Sequence, residues 1–158
     1  MWTPIEQALS LWRAATAGGA VPFGHRAAET FRIEAGRPKF PADMNEETIA
    51  LEARLDGAIS FTKGCYVGQE VVSRATYIGQ VHRQFVGFVL DAETPPAPHA
   101  AVAVAGKSVG SVTSAARSAW LGKTLALGYI RREHAAPETP VTVAGGPACV
   151  ASLPFVRR

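Results

Sequence analysis

The stretch Ala101-Val102-Ala103-Val104-Ala105-Gly106-Lys107-Ser108-Val109-Gly110-Ser111-Val112 decides the fold. Val102 and Val104 lie before Gly106-Lys107, and Val109 and Val112 lie after it. Short apolar runs on either side of such a turn form a β-hairpin. Residues 125–130, 141–143 and 149–153 supply further short strands, the last two separated by Gly145-Gly146-Pro147. Several short strands punctuated by Gly and Pro predict a small antiparallel barrel. Upstream, residues 92–99 hold Pro95, Pro96 and Pro98 and read as a loop near a domain boundary. Before that loop, residues 85–90 are strongly apolar, and the pattern turns to strand around Gly79.

The first half is patterned differently. Residues 3–17 read as an amphipathic helix. Thr3 is placed to act as N-cap, Pro4 suits the first helical position, and Glu6 completes a capping box. Ile5, Ala8, Leu9, Trp12 and Ala15 fall on one face, and Gly18-Gly19 end the helix. Residues 28–34 alternate as a strand, with Phe31 and Ile33 on one face and Arg32 and Glu34 on the other. Residues 36–45 read as a loop and 46–56 as a short helix. A second short helix starts near Gly68 and turns Val71, Val72 and Ala75 inward. The reading is α+β, with a mixed region at 1–85 and a barrel at 86–158. A helix followed by a lone strand has no sheet to join within residues 1–80. The partner sheet is therefore expected on preceding sequence or on another chain.

Bulk properties narrow the function. A chain of 158 residues that is 47% hydrophobic and 18% charged forms a core. The net charge is +3, and no Lys/Arg run exceeds two residues, so nothing signals nucleic-acid binding. A converging cleft of this sign would still suit an anion. No apolar run reaches the roughly 18 residues of a membrane span, and no signal peptide is seen. Cys65 and Cys149 do not make a disulfide framework, so a reducing, cytoplasmic setting is the simpler reading. His25, His82, His99 and His134 show no metal spacing. Ala105-Gly106-Lys107-Ser108 looks like the end of a phosphate-binding loop, but Ala101 occupies the required glycine position and a strand follows. Trp2, Trp12 and Trp120 are expected to pack.

The densest chemistry lies in Lys63-Gly64-Cys65-Tyr66-Val67-Gly68-Gln69-Glu70. Two glycines frame a thiol, and a cation stands two positions before it. Lys63 and a helix start near Gly68 would both favour a thiolate at Cys65. Gln69 and Glu70 add polar groups beside it. A structural cysteine in a tight turn fits the same residues, so both readings stand. Arg32 and Glu34 form a second pair. Arg32 could grip a carboxylate in bidentate fashion, or the two could be a surface salt-bridge pair.

Residues 63–70 closely resemble the signature of YgfZ-type proteins. The Phe31-Arg32-Ile33-Glu34-Ala35-Gly36, Leu51-Glu52-Ala53-Arg54-Leu55, Val112-Thr113-Ser114, Ala126-Leu127-Gly128-Tyr129-Ile130 and Leu153-Pro154-Phe155 segments resemble elements of the glycine cleavage T-protein superfamily. The resemblance covers nearly the whole chain and matches the C-terminal half of that superfamily. It implies the C-terminal part of a folate-binding domain followed by the superfamily's barrel. The implied cofactor is tetrahydrofolate, and the missing N-terminal half would supply much of its site. It assigns Cys65, with Lys63, as the reactive centre, and Arg32, Glu34, Tyr66, Gln69 and Glu70 to ligand contact, with no metal. The implied role is that of a folate-linked accessory protein in iron–sulfur enzyme maintenance or tRNA modification. Implied partners are folate, a chain carrying the N-terminal half, and iron–sulfur enzymes. The alternatives are tetrahydrofolate-dependent aminomethyl transfer and a non-catalytic binding module.

Overall fold

In the computed structural model, which describes residues 2–70, 72–73 and 81–156, the expected hairpin is the centre of a closed barrel. Strands β1 (Arg83–Leu90), β2 (Ala101–Val104), β3 (Lys107–Ser118), β4 (Lys123–Arg131), β5 (Pro140–Val143) and β6 (Gly146–Ala151) run antiparallel in the order β1-β4-β3-β2-β5-β6. β6 pairs back onto β1, with Phe88 opposite Val150, and closes the sheet. Closure removes exposed strand edges. The α+β expectation with an antiparallel barrel is met. The Pro-rich segment at 92–99 joins β1 to β2 inside the barrel and does not stand between two units.

Strand alternation sorts the apolar residues into two clusters. Val86, Phe88, Leu90, Val102, Val112, Ala126, Ile130, Val141, Val143 and Val150 come from all six strands and fill the barrel interior. Phe85, Leu125, Leu127 and Tyr129 point the other way and meet Ile33, Leu153 and Phe155. β1 and β4 are thus buried on both faces, which is why their sequences read as near-continuous apolar runs.

The outer cover is helical, contrary to the strand expected at 28–34. Residues His25–Glu34 form α2, capped by Gly24 and preceded by α1 (Ala8–Ala17). The alternation of Phe31 and Ile33 misled, because a seven-residue window fits both periods. On the helix Ile33 is buried while Phe31 is half-exposed. Arg32 and Glu34 therefore do not share a face. α2 packs on β3 and β4.

Gly36, at φ 63°, ends α2 in the left-handed region that favours glycine. A Cβ at Gly36 would lie 2.8 Å from Leu153, and one at Gly87 would lie 2.4 Å from Phe155. These two missing side chains let the C-terminal segment sit between helix and barrel. There the Phe155 amide donates to the Glu34 carbonyl at 3.0 Å.

Three other expectations are corrected. α1 is entered through a 3-10 turn at Ile5–Gln7, and Pro4, extended at ψ 147°, is its N-cap without a side-chain bond. The capping box from Thr3 does not form. Residues 46–54 are hydrogen-bonded turns rather than a helix, followed by a 3-10 turn at Asp56–Ala58. They are tied to β1 where the Phe85 amide donates to the Glu52 carbonyl at 2.8 Å. Trp2, Trp12 and Trp120 are exposed, not packed. The predicted strand near Gly79 and the positions Val71 and Ala75 lie outside the described residues.

Candidate functional site

A buried carboxylate joins α2 to the barrel. After Gly36 the chain folds back on itself, and the Asp43 amide donates to the Lys39 carbonyl at 2.7 Å. This turns the Asp43 side chain inward, where it is wholly buried. Asp43 Oδ2 accepts from Arg32 Nη1 at 2.6 Å and from the Lys39 amide at 3.0 Å. Oδ1 accepts from Thr113 Oγ1 at 2.5 Å and Ser114 Oγ at 2.6 Å.

Neighbouring strand residues normally face opposite ways. Thr113 and Ser114 both reach Asp43 because the β3–β4 register shifts between Val112 and Ser114. The bulge leaves Thr113 as an extra residue and re-aims it. Its hydroxyl also lies 3.1 Å from the Leu127 carbonyl.

Arg32 completes the joint. A guanidinium carries five N–H donors, and Arg32 meets Glu29 through Nε and Nη2, Asp43 and the Arg37 carbonyl through Nη1, and Ser114 through Nη2. Glu29 also receives Lys39 Nζ at 2.7 Å. The Lys39 contact, helped by Arg32, holds the Glu29 carboxyl below its ordinary 4.5. Glu34, two residues on, is buried elsewhere and accepts from Ser118 Oγ at 2.7 Å.

A second cluster lies beside this joint. Arg83 Nε donates to Glu52 at 2.7 Å, and its guanidinium carbon stands 4.9 Å from the Tyr129 ring centre. The Tyr129 hydroxyl is buried and makes no hydrogen bond among the described residues. Burial pushes the Tyr129 phenol up to about 12, against an opposing pull from Arg83. Thr48 lowers the phenol slightly, without a bond of good geometry.

The Cys65 segment stands apart from both clusters. Cys65 is exposed. Gly68, at φ 88°, makes the turn into the helical residues 69 and 70, and the Val72 amide donates to the Gly68 carbonyl at 3.3 Å. Lys63 Nζ lies over the Tyr66 ring, 4.6 Å from its centre. Tyr66 and Gln69 are half-buried, and Glu70 is exposed. Cys149 is half-buried on β6. No group of three His, Cys, Asp or Glu able to hold a metal occurs among the described residues.

Sequence reasoning singled out Arg32, Glu34 and the Cys65 loop and did not single out Glu29, Lys39, Asp43, Arg83 or Tyr129. Asp43 lies in a segment read only as loop, and its importance depends on a bulge about 70 residues away.

The barrel just described is a known one. Residues 83–156 match the glycine cleavage T-protein C-terminal barrel domain. Along nearly its whole length the chain is similar to the C-terminal half of the wider T-protein superfamily. It is 35% identical over 152 residues to a chloroplastic protein of Arabidopsis thaliana named as a transferase, covering 96% of this chain and 35% of that one. It is 36% identical over 159 residues to an aminomethyltransferase of Thermosynechococcus vestitus, covering 98% and 43%. The solved structure of the glycine cleavage system aminomethyltransferase T from Bartonella henselae superposes with a TM-score of 0.88 at 25% identity, covering 97% of this chain and 45% of that one. The chain spans less than half the length of each.

Proposed function

We propose that this chain supplies the barrel-bearing part of a tetrahydrofolate-linked protein of the aminomethyltransferase type. The observation that carries the reading is the match in fold and sequence along nearly the whole chain to proteins named aminomethyltransferases. Tetrahydrofolate, when bound to such a protein, supplies the one-carbon carrier.

The residues present fit that group only in part. Arg32, the expected carboxylate grip, already has its five donors directed to protein acceptors. In this reading Arg32 positions the 37–43 loop and does not hold the ligand directly. Helix α1 points to the remaining part of the site. Leu9 and Trp12 are exposed along it, as is Ile5 in the turn before it, none of its residues is buried, and an amphipathic helix gains its stability by burying that face. We infer that further sequence, on this chain or another, covers α1 and completes the folate cleft. No helix among the described residues is long and apolar enough to cross a membrane, and a cytoplasmic setting is part of the proposal.

The test is calorimetric titration with tetrahydrofolate. The chain alone is expected to bind weakly or not at all. The chain mixed with the N-terminal part of the Thermosynechococcus vestitus relative is expected to bind measurably better. Micromolar or tighter binding by the chain alone would sink the requirement for a complement, and no binding with it would sink the folate reading.

A second reading rests on Cys65. The thiol is exposed on a glycine-framed loop, as a YgfZ-type reactive cysteine would require. That reading assigns a maintenance role toward iron–sulfur enzymes in place of aminomethyl transfer. If it holds, Cys65→Ser abolishes rescue of iron–sulfur enzyme activity in cells lacking the protein. Unimpaired rescue by Cys65→Ser removes it.

A further inference from the structure

Loop 41–48 and the mouths of β1, β3 and β4 enclose a cavity of about 250 Å³, lined by Asn45, Thr48, Arg83, His99, Ser111 and Tyr129 among others. We propose that it is a binding site for a small carboxylate, recognised by the Arg83 guanidinium and the Tyr129 hydroxyl. The proposal does not rest on the folate reading.

Size sets the first limit. At about 30 Å³ per water, the space equals roughly eight water volumes. That suits an amino acid or a short carboxylic acid and is too small to hold a pteridine together with its side chain.

Chemistry sets the second. Only Nε of Arg83 is engaged among the described residues, by Glu52, and its side chain is half-exposed at the cavity. The two terminal nitrogens thus present an edge that matches a carboxylate. The Tyr129 hydroxyl is buried, 92% of the residue being out of solvent, with no bond to any described residue. A buried hydroxyl left unpaired costs about 1–3 kcal/mol, so the unliganded wall is incomplete. An oxygen seated beside Thr48 would accept from it. Thr48 lies close enough to lower the phenol slightly. Its hydroxyl, however, donates to Asn45 Oδ1 at 2.9 Å and accepts from the Asn45 amide at 3.0 Å, and the Tyr129 hydroxyl makes no bond of good geometry to it. With its phenol raised, Tyr129 remains a donor at neutral pH.

Charge sets the third. Glu47 and the buried Asp43 line the cavity, and Glu52 lies close by. Three carboxylates around one free guanidinium edge disfavour a dianion such as phosphate but leave room for a single negative charge.

The experiment is NMR titration of the whole chain with acetate and with glycine, chloride and inorganic phosphate serving as the other arms. Saturable shifts at Arg83 and Tyr129 are expected with acetate or glycine at millimolar concentration. Tyr129→Phe and Arg83→Gln should each weaken binding at least fivefold, and Arg132→Gln, in a neighbouring open cleft, should not. Without ligand Tyr129→Phe should melt at the same temperature as the parent or higher. No saturable shift with either carboxylate would overturn the proposal. So would equal affinity for phosphate, or unchanged binding in Tyr129→Phe. A lower melting temperature for Tyr129→Phe would show the hydroxyl already satisfied, and would overturn it as well.

Discussion

Replacing Asp43 should unfasten α2 from the barrel, and the structure sets the scale. The carboxylate is fully buried and accepts four hydrogen bonds, one from a guanidinium. Asp43→Ala leaves Arg32, itself largely buried, without one of its two counter-charges, and leaves Thr113 and Ser114 facing a void. Breaking a buried pair from one side costs about 3–5 kcal/mol. Glu29 remains beside Arg32, so the lower part of that range is expected. For a chain of this size, 1 kcal/mol moves the melting temperature by about 2–4 °C, giving a fall of roughly 6–12 °C.

Asp43→Asn should cost less. Its amide can turn toward Thr113 and Ser114, whose hydroxyls accept as well as donate, while its oxygen keeps the Arg32 contact. Loss of the charge should then cost about 1.5–3 kcal/mol, the worth of a charge-assisted bond. Thermal melts followed by circular dichroism, with urea titration for the free energies, separate the two variants. A cost under about 1 kcal/mol for Asp43→Ala, the level of exposed pairs, would refute the reasoning. So would a cost for Asp43→Asn at or above that of Asp43→Ala.

Four further outcomes are expected. Glu29 has its folded pKa below the ordinary 4.5, so its contribution is present above that value and is lost as pH falls below it; Glu29→Gln should flatten the acid limb of a stability–pH curve. Tyr129 is raised from 10.0 to about 12, so its neutral form stabilises the fold below pH 10 and that stability is lost as pH rises from 10 toward 12; Tyr129→Phe should remove this alkaline decline. Alkylation at neutral pH, read by mass spectrometry, should label exposed Cys65 before half-buried Cys149, and Lys63→Ala should slow it modestly; equal rates would count against thiol chemistry. Gly87→Ala, with its Cβ placed 2.4 Å from Phe155 Cζ, should displace the C-terminal segment and destabilise by about 1–3 kcal/mol, measured by urea titration.

The barrel was legible because each strand carries its own pattern and its own turn. The hairpin around Gly106 could be read from a dozen residues. Helix α2 could not, because Phe31 and Ile33 fit an alternating period until the burial of Ile33 and exposure of Phe31 decide between them. The short helix read at 46–56 fails for a related reason. Its backbone is held by separate turn bonds and a long-range bond to β1 rather than by a repeating local ladder. Arg32 was singled out as a carboxylate grip or a surface pair, and in the structure its donors meet Glu29, Asp43, Ser114 and the Arg37 carbonyl. Its partners Asp43, Ser114 and Glu29 sit at three separations along the chain, and only the fold brings them together. The bulge that re-aims Thr113 leaves no glycine or proline signal at that point.

The ring of strands has a consequence for the order in which the protein is made. β1 comes first in sequence, yet its two neighbours are β4 and β6. As the chain is synthesised, Phe85, Val86 and Phe88 have no ladder partner until residues 123–131 exist, and no second partner until residues 146–151 follow. β2 and β3 can pair as a local hairpin well before then. A nascent or refolding chain therefore holds its most apolar strand unpaired for longest, and such strands seek other chains. Because its closing contacts span most of the barrel's length, folding should be slow. The vulnerable species during synthesis is then a half-built sheet with β1 uncovered.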